Sequence, residues 1–263
     1  MTHRDIVISV KDIWKSFNNH EVLRGLNLDV FHGEMLVILG PSGIGKSVLL
    51  KHLLGLLTPD SGTIEVEGES LFALSEENLY RVLRKMGMLF QGSALFDSMN
   101  IGANTAFYLE EHHALGDGTP VHRSEIPDRV EEALRAVGLS GTQKSMPSDL
   151  SGGMRKRAAL ARLLAYRPLI TLYDEPTTGL DPITAEQIND LLVEVQQRLH
   201  ATGIVVTHDI RSAWKIGDRF ALLSEGRITH LGSPEEFLKL QDPFIDFLRT
   251  QVLGALPPRR GHP

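Results

Sequence analysis

Apolar residues recur along this chain in two alternating patterns, short continuous runs and longer stretches with helical spacing. The continuous runs suit strands that are covered on both faces, and they span residues 35–39, 169–173, 204–207 and 220–223. Helical patterns lie between them, notably over residues 47–57 and 184–199. This alternation predicts a three-layer α/β core with a largely parallel sheet.

Two regions depart from that alternation. Segments 6–10 and 21–30 are strand-like and flank a polar turn at Asn18-Asn19, which predicts an antiparallel β region near the N-terminus. Residues 91–167 are mostly helical, with an exposed loop predicted at 116–120. We therefore predict an α/β core from residues 1–92 and 166–232, a helical subdomain from 93–165, and C-terminal helices with a disordered tail from 233–263.

Composition narrows the classes of function. The 263 residues fit one large domain or a domain with a subdomain, and the formal net charge of -6 argues against a general nucleic-acid binder. Because the chain has no cysteine, disulfides and thiolate metal sites are excluded. We find no apolar stretch long enough to cross a bilayer and no secretory signal, so any membrane role is expected to act through a partner.

The most specific chemical signal is a glycine loop between the strand predicted at 35–39 and the following helix. It reads Gly40, Pro41, Ser42, Gly43, Ile44, Gly45, Lys46 and Ser47, with Val48 next. Glycines let backbone N–H groups curl around phosphate oxygens at a helix N-terminus. This spacing is typical of a P-loop, in which Lys46 reaches the β- and γ-phosphates and the Ser47 hydroxyl binds Mg²⁺.

Polar residues also follow the other predicted strands, where ligands of parallel sheets bind. Asp174 is expected to hold Mg²⁺, and Glu175 to polarise the attacking water as a general base. His208 is placed to bond the γ-phosphate and orient that water, and Gln91 to bring an amide near Mg²⁺ and the water. Taken alone, the acidic pair could cap a turn and the histidine could be structural.

These motifs occur in a recognisable order: the P-loop, Gln91, Leu150-Ser151-Gly152-Gly153-Met154, Asp174-Glu175, Gly179-Leu180-Asp181 and His208. In this order they resemble the nucleotide-binding subunit of ATP-binding cassette (ABC) transporters, over roughly residues 6–232. The resemblance implies a P-loop NTPase core of ABC type, ATPase activity, and ATP with Mg²⁺ as cofactors.

The resemblance also assigns roles that spacing alone does not. It implies that Phe17 stacks on adenine, although a phenylalanine of the core is the alternative. Ser151, Gly152 and Gly153, the signature loop, would contact a γ-phosphate held by another subunit, and Asp181 would belong to the same ATP-binding set. One copy of each motif implies a homodimer, or a heterodimer with a similar subunit.

Finer features resemble one subfamily. Met154 replaces the usual glutamine, and segments 146–154, 157–162, 88–96 and 181–184 look like the ATPase of MCE/Mla-type lipid transporters. That resemblance implies phospholipid transport between bacterial membranes, with a multi-spanning permease and an MCE-domain lipid-binding protein as partners. The ATPase would lie at the cytoplasmic face of the inner membrane, held there by its permease. An importer ATPase for a small solute and a soluble ABC ATPase of the iron–sulfur scaffold type are the alternatives.

Two further clusters have open interpretations. Leu95, Phe96, Met99 and Ile101 follow Gln91, where the family's permease docks a short helix, or else they form the core of the helical subdomain. The charge run Arg155-Lys156-Arg157 is interpreted as a solvated helix face rather than as a nucleic-acid site.

Overall fold

The computed structural model describes residues 5–251, which divide into two compact units. The first unit contains the described residues up to Leu83 and those from Thr202 onward, and the second runs from Arg84 to Ala201. The tail predicted to be disordered, residues 256–263, lies outside the described residues.

The described residues form ten strands and nine α-helices. The strands are β1 (Ile6–Phe17), β2 (His20–Phe31), β3 (Met35–Leu39), β4 (Ser61–Val66), β5 (Glu69–Ser70), β6 (Met86–Leu89), β7 (Ile170–Asp174), β8 (Thr202–Thr207), β9 (Arg219–Ser224) and β10 (Arg227–Gly232). The helices are α1 (Lys46–Leu53), α2 (Glu76–Leu83), α3 (Ile101–His112), α4 (Ile126–Ala136), α5 (Gly152–Tyr166), α6 (Pro182–Leu199), α7 (Ile210–Ile216), α8 (Pro234–Phe237) and α9 (Pro243–Gln251).

The first unit contains the predicted antiparallel region, a four-stranded sheet of order β2-β1-β4-β5. Its first hairpin turns at Asn18 and Asn19, which both adopt positive φ angles, of 47° and 64°. Asparagine tolerates this left-handed conformation, and two such residues in succession match the twist of a tight hairpin. The turn therefore places Phe17 at the end of β1, paired with His20.

The first unit also contains the parallel strands that carry the glycine loop. β3 pairs in parallel with β8 and β9, and β10 adds to β9 in the antiparallel sense. All five residues of β3 are buried, as the continuous apolar run predicts. Leu39 is paired with Thr207, so the glycine loop and His208 start from adjacent strand ends.

The second unit combines the parallel strands β6 and β7 with helices α3 to α6. Helix α5 packs against α3, α4 and α6, and its buried alanines, including Ala158, Ala159 and Ala161, allow a close approach. Together with the first unit, this confirms the predicted fold class: an α/β protein with mostly parallel strands, an N-terminal antiparallel region and a helical segment. Among the described residues, no helix is both long and apolar enough to cross a membrane.

The loop predicted to be exposed at 116–120 is only partly so. Gly116 is buried, and its N–H donates to the Tyr166 carbonyl at 2.7 Å. A Cβ at Gly116 would lie 2.6 Å from Pro168 Cα, so the loop packs against the chain that follows α5. Exposure begins at Asp117. Glycine and proline marked a turn in the sequence, but they did not show that one end of it is packed.

Candidate functional site

The glycine loop of the first unit joins the buried end of β3 to the start of α1, and its glycines are required by geometry. Gly43 and Gly45 adopt φ angles of 81° and 113°, in the left-handed region that favours glycine. A Cβ at Gly40 would lie 2.6 Å from the Leu223 carbonyl oxygen. These constraints fold the backbone into a tight loop immediately before a helix N-terminus, the arrangement that binds phosphate.

Lys46 lies inside this loop rather than in solvent. Its Nζ donates to the carbonyl oxygens of Gly40 at 2.8 Å and Pro41 at 3.1 Å, and the residue is only 5% exposed. Helix α1 has no acidic residue in its first turn and no side-chain cap at Gly45. Its N-terminal dipole and the ammonium therefore both favour an anion at the loop.

His208 is exposed and directly follows Thr207 at the end of β8. The segment is fixed on both sides, because the Thr207 hydroxyl accepts a hydrogen bond from the Asp209 N–H at 3.0 Å and Asp209 caps α7. Since Thr207 pairs with Leu39, His208 follows the strand next to the one that carries the glycine loop.

Phe17 is 42% exposed at the end of the first hairpin, which excludes the alternative of a core phenylalanine. The Lys15 ammonium lies 5.6 Å from its ring centroid, within reach of a cation–π interaction. The same hairpin contacts the glycine loop, since a Cβ at Gly45 would lie 2.9 Å from Val22 Cγ1. The first unit thus gathers an exposed ring, the glycine loop and His208.

The second unit places the acidic pair at the end of β7. Asp174 is the last residue of the strand and is buried, and Glu175 is half-buried just beyond it. Glu175 has a φ of 46°, which is unusual for a residue with a side chain. The Thr178 hydroxyl donates to Glu175 Oε2 at 3.1 Å and so orients the carboxylate.

Gln91 lies near this acidic pair, because β6 and β7 are parallel neighbours in which Leu89 pairs with Tyr173. The Lys156 Nζ connects the two segments. It donates to the backbone carbonyl of Gln91 at 2.7 Å and to the backbone carbonyl of Glu175 at 3.4 Å. Burial lowers the pKa of Lys156, while the nearby Asp174 and Glu175 act to raise it.

The solvated-face interpretation of the charge run is therefore wrong at Lys156, which is 4% exposed. The sequence contained a signal for this position. Leu160 and Leu163 follow Lys156 by four and seven residues, the spacing of one apolar helix face. That spacing places Lys156 on the packed face of α5.

The signature loop opens α5. The Ser151 hydroxyl caps the helix by accepting from the Met154 N–H at 3.3 Å, and both Ser151 and Gly152 are exposed. A Cβ at Gly153 would lie 2.6 Å from Thr184 Cγ2, so only glycine lets the start of α6 approach this closely.

Asp181 caps α6 next to this contact. Its Oδ1 accepts from the N–H groups of Ile183 and Thr184, each at 3.0 Å. Hydrogen bonds from Thr184, first from its hydroxyl, lower the pKa of the Asp181 carboxyl below its ordinary value. The second unit thus contains two groups of predicted site residues. The signature loop lies near Asp181, and Gln91 lies near Asp174 and Glu175.

Comparison with known proteins identifies the family of the chain. Residues 23–178 match the family model described as "ABC transporter". The chain is 40% identical over 252 residues to the "Probable ribonucleotide transport ATP-binding protein mkl" of Mycobacterium leprae, covering 95% of this chain and 71% of that protein. It is 38% identical to the "Intermembrane phospholipid transport system ATP-binding protein MlaF" of Escherichia coli, covering 95% and 91%.

A solved structure of similar fold is a dimer. The dimeric structure of a post-hydrolysis state of an ATP-binding cassette bound to ADP and phosphate superimposes with a TM-score of 0.76 and 30% identity. The alignment covers 86% of this chain and 98% of that one.

Proposed function

Because the chain belongs to the ABC transporter family and is an ATPase of that family, we propose that it powers phospholipid transport between bacterial membranes. The observation that carries this proposal is the nearly end-to-end match to a phospholipid transport ATPase, over 95% of this chain and 91% of the relative. Met154 in the signature loop is the residue-level feature that agrees with it.

ATP binding is assigned to both units. In the first, the glycine loop with Lys46 holds the phosphates, and the exposed ring of Phe17 stacks on adenine. In the second, Ser151, Gly152 and Gly153 serve the ATP of a partner copy. The dimeric cassette of similar fold supports this reading, as does the exposure of Ser151 and Gly152 at the N-terminus of α5.

The residues proposed for Mg²⁺ fit that ion chemically. Ser47, Asp174 and Gln91 offer a hydroxyl, a carboxylate and an amide oxygen, which are hard donors. Mg²⁺ is usually bound by one or two carboxylates together with substrate phosphates and several waters, and Asp174 supplies the carboxylate here. When bound, the ion neutralises charge that develops on the transferred phosphoryl group.

Hydrolysis is assigned to Glu175 as the base that takes a proton from the attacking water. The Thr178 hydrogen bond aims its carboxylate. His208 of the first unit is assigned to the γ-phosphate and the water, and the Gln91 amide of the second unit to Mg²⁺ and the water. Release of the γ-phosphate then opens the dimer, and the membrane partner responds to the change between the two states.

A docking surface for the permease is proposed at the segment after Gln91. The four apolar residues considered there separate in the structure: Ile101 is fully buried in the core, whereas Phe96 is 40% exposed and Leu95 and Met99 are half-buried. The buried Asn104 amide fixes this segment through hydrogen bonds to Phe96 and Met99. We therefore assign docking of a permease helix to Phe96, at the cytoplasmic face of the inner membrane.

The test is to purify the tagged chain from membranes of its own organism and identify what co-purifies. A multi-spanning permease with an MCE-domain protein is expected, and the reconstituted complex should move labelled phospholipid between vesicles only when ATP is hydrolysed. Phe96→Ser should lose the permease from the complex, while Phe247→Ser, at another exposed phenylalanine, should keep it. Purification without any membrane protein would contradict the proposal.

A second candidate is an ATPase for a small solute, favoured by the 40% identity to a protein named for ribonucleotide transport. The ATP chemistry would be the same, so the partner decides between the two. Co-purification of a solute-binding protein instead of an MCE-domain protein, with no phospholipid transfer, would favour this candidate.

We expect Phe17→Ala to raise the Kd for ATP about 10-fold, because loss of a base–aromatic stack costs about 1–3 kcal/mol. Phe17→Trp should bind ATP nearly as tightly as the parent. Phe247→Ala removes another exposed ring and serves as the control. Isothermal titration with ATP measures all three variants, and an unchanged Kd for Phe17→Ala would remove Phe17 from the site.

A further inference from the structure

Lys156 is a buried cation whose hydrogen bonds join segments that are far apart in sequence. Its Nζ contacts the carbonyl oxygens of Gln91 at 2.7 Å and Glu175 at 3.4 Å, and the residue is 4% exposed. An ammonium is costly to bury unless its donors are satisfied. Three donors on one compact head group suit two carbonyls that approach from different directions.

The contact at Glu175 is made where the backbone is strained. A φ of 46° is disfavoured for glutamate, so the surrounding structure must hold this conformation. The Glu175 carbonyl accepts from the Thr178 N–H at 3.2 Å and from Lys156. If Lys156 is removed, one of these two donors is lost and the peptide can rotate, which moves the Glu175 carboxylate.

Lys156 is also rigidly connected to the signature loop. It lies on α5 five residues after Ser151, or about 7.5 Å along the axis at 1.5 Å per residue. Because a helix moves as a body over so short a distance, a displacement of the signature loop is passed to Lys156. The same side chain then displaces the backbone of Gln91 and Glu175.

We propose that Lys156 is a positioning residue, which holds Gln91 and Glu175 in place for hydrolysis and links them to the signature loop. The proposal rests on the assignment of Glu175 as base and of the signature loop to a partner's ATP. When the signature loop of one subunit contacts ATP bound to the other subunit, Lys156 thereby fixes the position of the Glu175 carboxylate in the subunit that supplies the loop. Two ATP sites of a dimer would be coupled through this side chain.

The test compares Lys156→Met, Lys156→Arg and the control Arg155→Met, which removes an exposed charge from the same helix. In the purified full-length chain, Lys156→Met should lower kcat at least 10-fold while the Kd for ATP changes less than 3-fold. Lys156→Arg should recover part of kcat, because a guanidinium also donates to carbonyls. Arg155→Met should match the parent.

A merely structural role gives a different result. Lys156→Met would then lower Tm and the fraction of chain that binds ATP, with kcat per binding-competent chain unchanged, and this would overturn the proposal. Equal losses in Lys156→Met and Lys156→Arg would also overturn it. The link to the signature loop is tested with a double-mutant cycle that adds Ser151→Ala. The fold loss of kcat caused by Ser151→Ala should be at least 3-fold smaller in the Lys156→Met background than in the parent. If the fold losses of the two single variants simply multiply in the double variant, the link is refuted.

Failure of the base assignment can be told apart from failure of this inference. If Glu175→Gln hydrolyses ATP at the parental rate, the base is assigned wrongly. If Glu175→Gln is inactive while Lys156→Met is as fast as the parent, only the role of Lys156 is refuted.

Discussion

Replacing Lys46 by alanine is expected to weaken ATP binding about 100-fold or more. The Lys46 ammonium lies within the glycine loop, bonded to the carbonyls of Gly40 and Pro41, where an incoming phosphate would meet it. Hydrogen bonds to charged groups contribute roughly 1.5–3 kcal/mol each, and about 2.7 kcal/mol corresponds to a 100-fold change in Kd. Titration of the purified chain with ATP measures the effect directly.

The matched control is Lys51→Ala, which removes an exposed lysine from the same helix. It should bind ATP as the parent does. A melting curve without nucleotide is needed for both variants, because Lys46→Ala also removes the Nζ hydrogen bonds to the Gly40 and Pro41 carbonyls. If Lys46→Ala folds and binds ATP with unchanged affinity, the phosphate-binding role of the glycine loop is refuted.

Glu175→Gln is expected to lower kcat by about 100- to 10,000-fold, the range for removing a general base. ATP affinity should be preserved, because glutamine keeps the shape of the side chain and its amide oxygen can still accept from the Thr178 hydroxyl. A chain that binds ATP without hydrolysing it should accumulate as a nucleotide-bound dimer. Phosphate release and size-exclusion chromatography with ATP measure the two effects.

Glu131→Gln, at an exposed position of α4, is the control for loss of one acidic charge and should hydrolyse at the parental rate. Parental turnover in Glu175→Gln would mean that another group accepts the proton. A stalled chain that remains monomeric with ATP would support the base and contradict the proposed dimer.

The sequence predicted best where a local pattern has one physical cause. β3 is buried on both faces, so its apolar run gave the strand boundaries at Met35 and Leu39 directly. The first hairpin needs left-handed residues, and Asn18-Asn19 marks its turn. Gly43 and Gly45 likewise have positive φ angles, a conformation that the glycines of the loop predict. Local conformational rules are read from a few adjacent residues, so they need no knowledge of the fold.

Sequence predictions failed, or left alternatives open, where the surroundings of a residue are supplied by parts of the chain that are distant in sequence. Gly116 looks like part of an exposed turn, yet it is packed against Pro168. The sequence leaves a core phenylalanine as an alternative for Phe17. The structure shows that its ring is exposed, because Phe17 lies at the turn end of the first hairpin. The apolar group after Gln91 divides between core and surface, with Ile101 buried and Phe96 exposed, and the buried Asn104 holds the backbone of Phe96 and Met99.

The glycine loop, the acidic pair and the order of the motifs were determined by the sequence, since each rests on residue types at fixed spacing. The tertiary structure decided what Lys156 does. Its neighbours in sequence, Arg155 and Arg157, suggest a charged surface, whereas its hydrogen bonds reach Gln91, 65 residues away, and Glu175, 19 residues away. A buried charge is stabilised by the atoms that form hydrogen bonds with it, and folding brings these atoms together from the segments that follow β6 and β7.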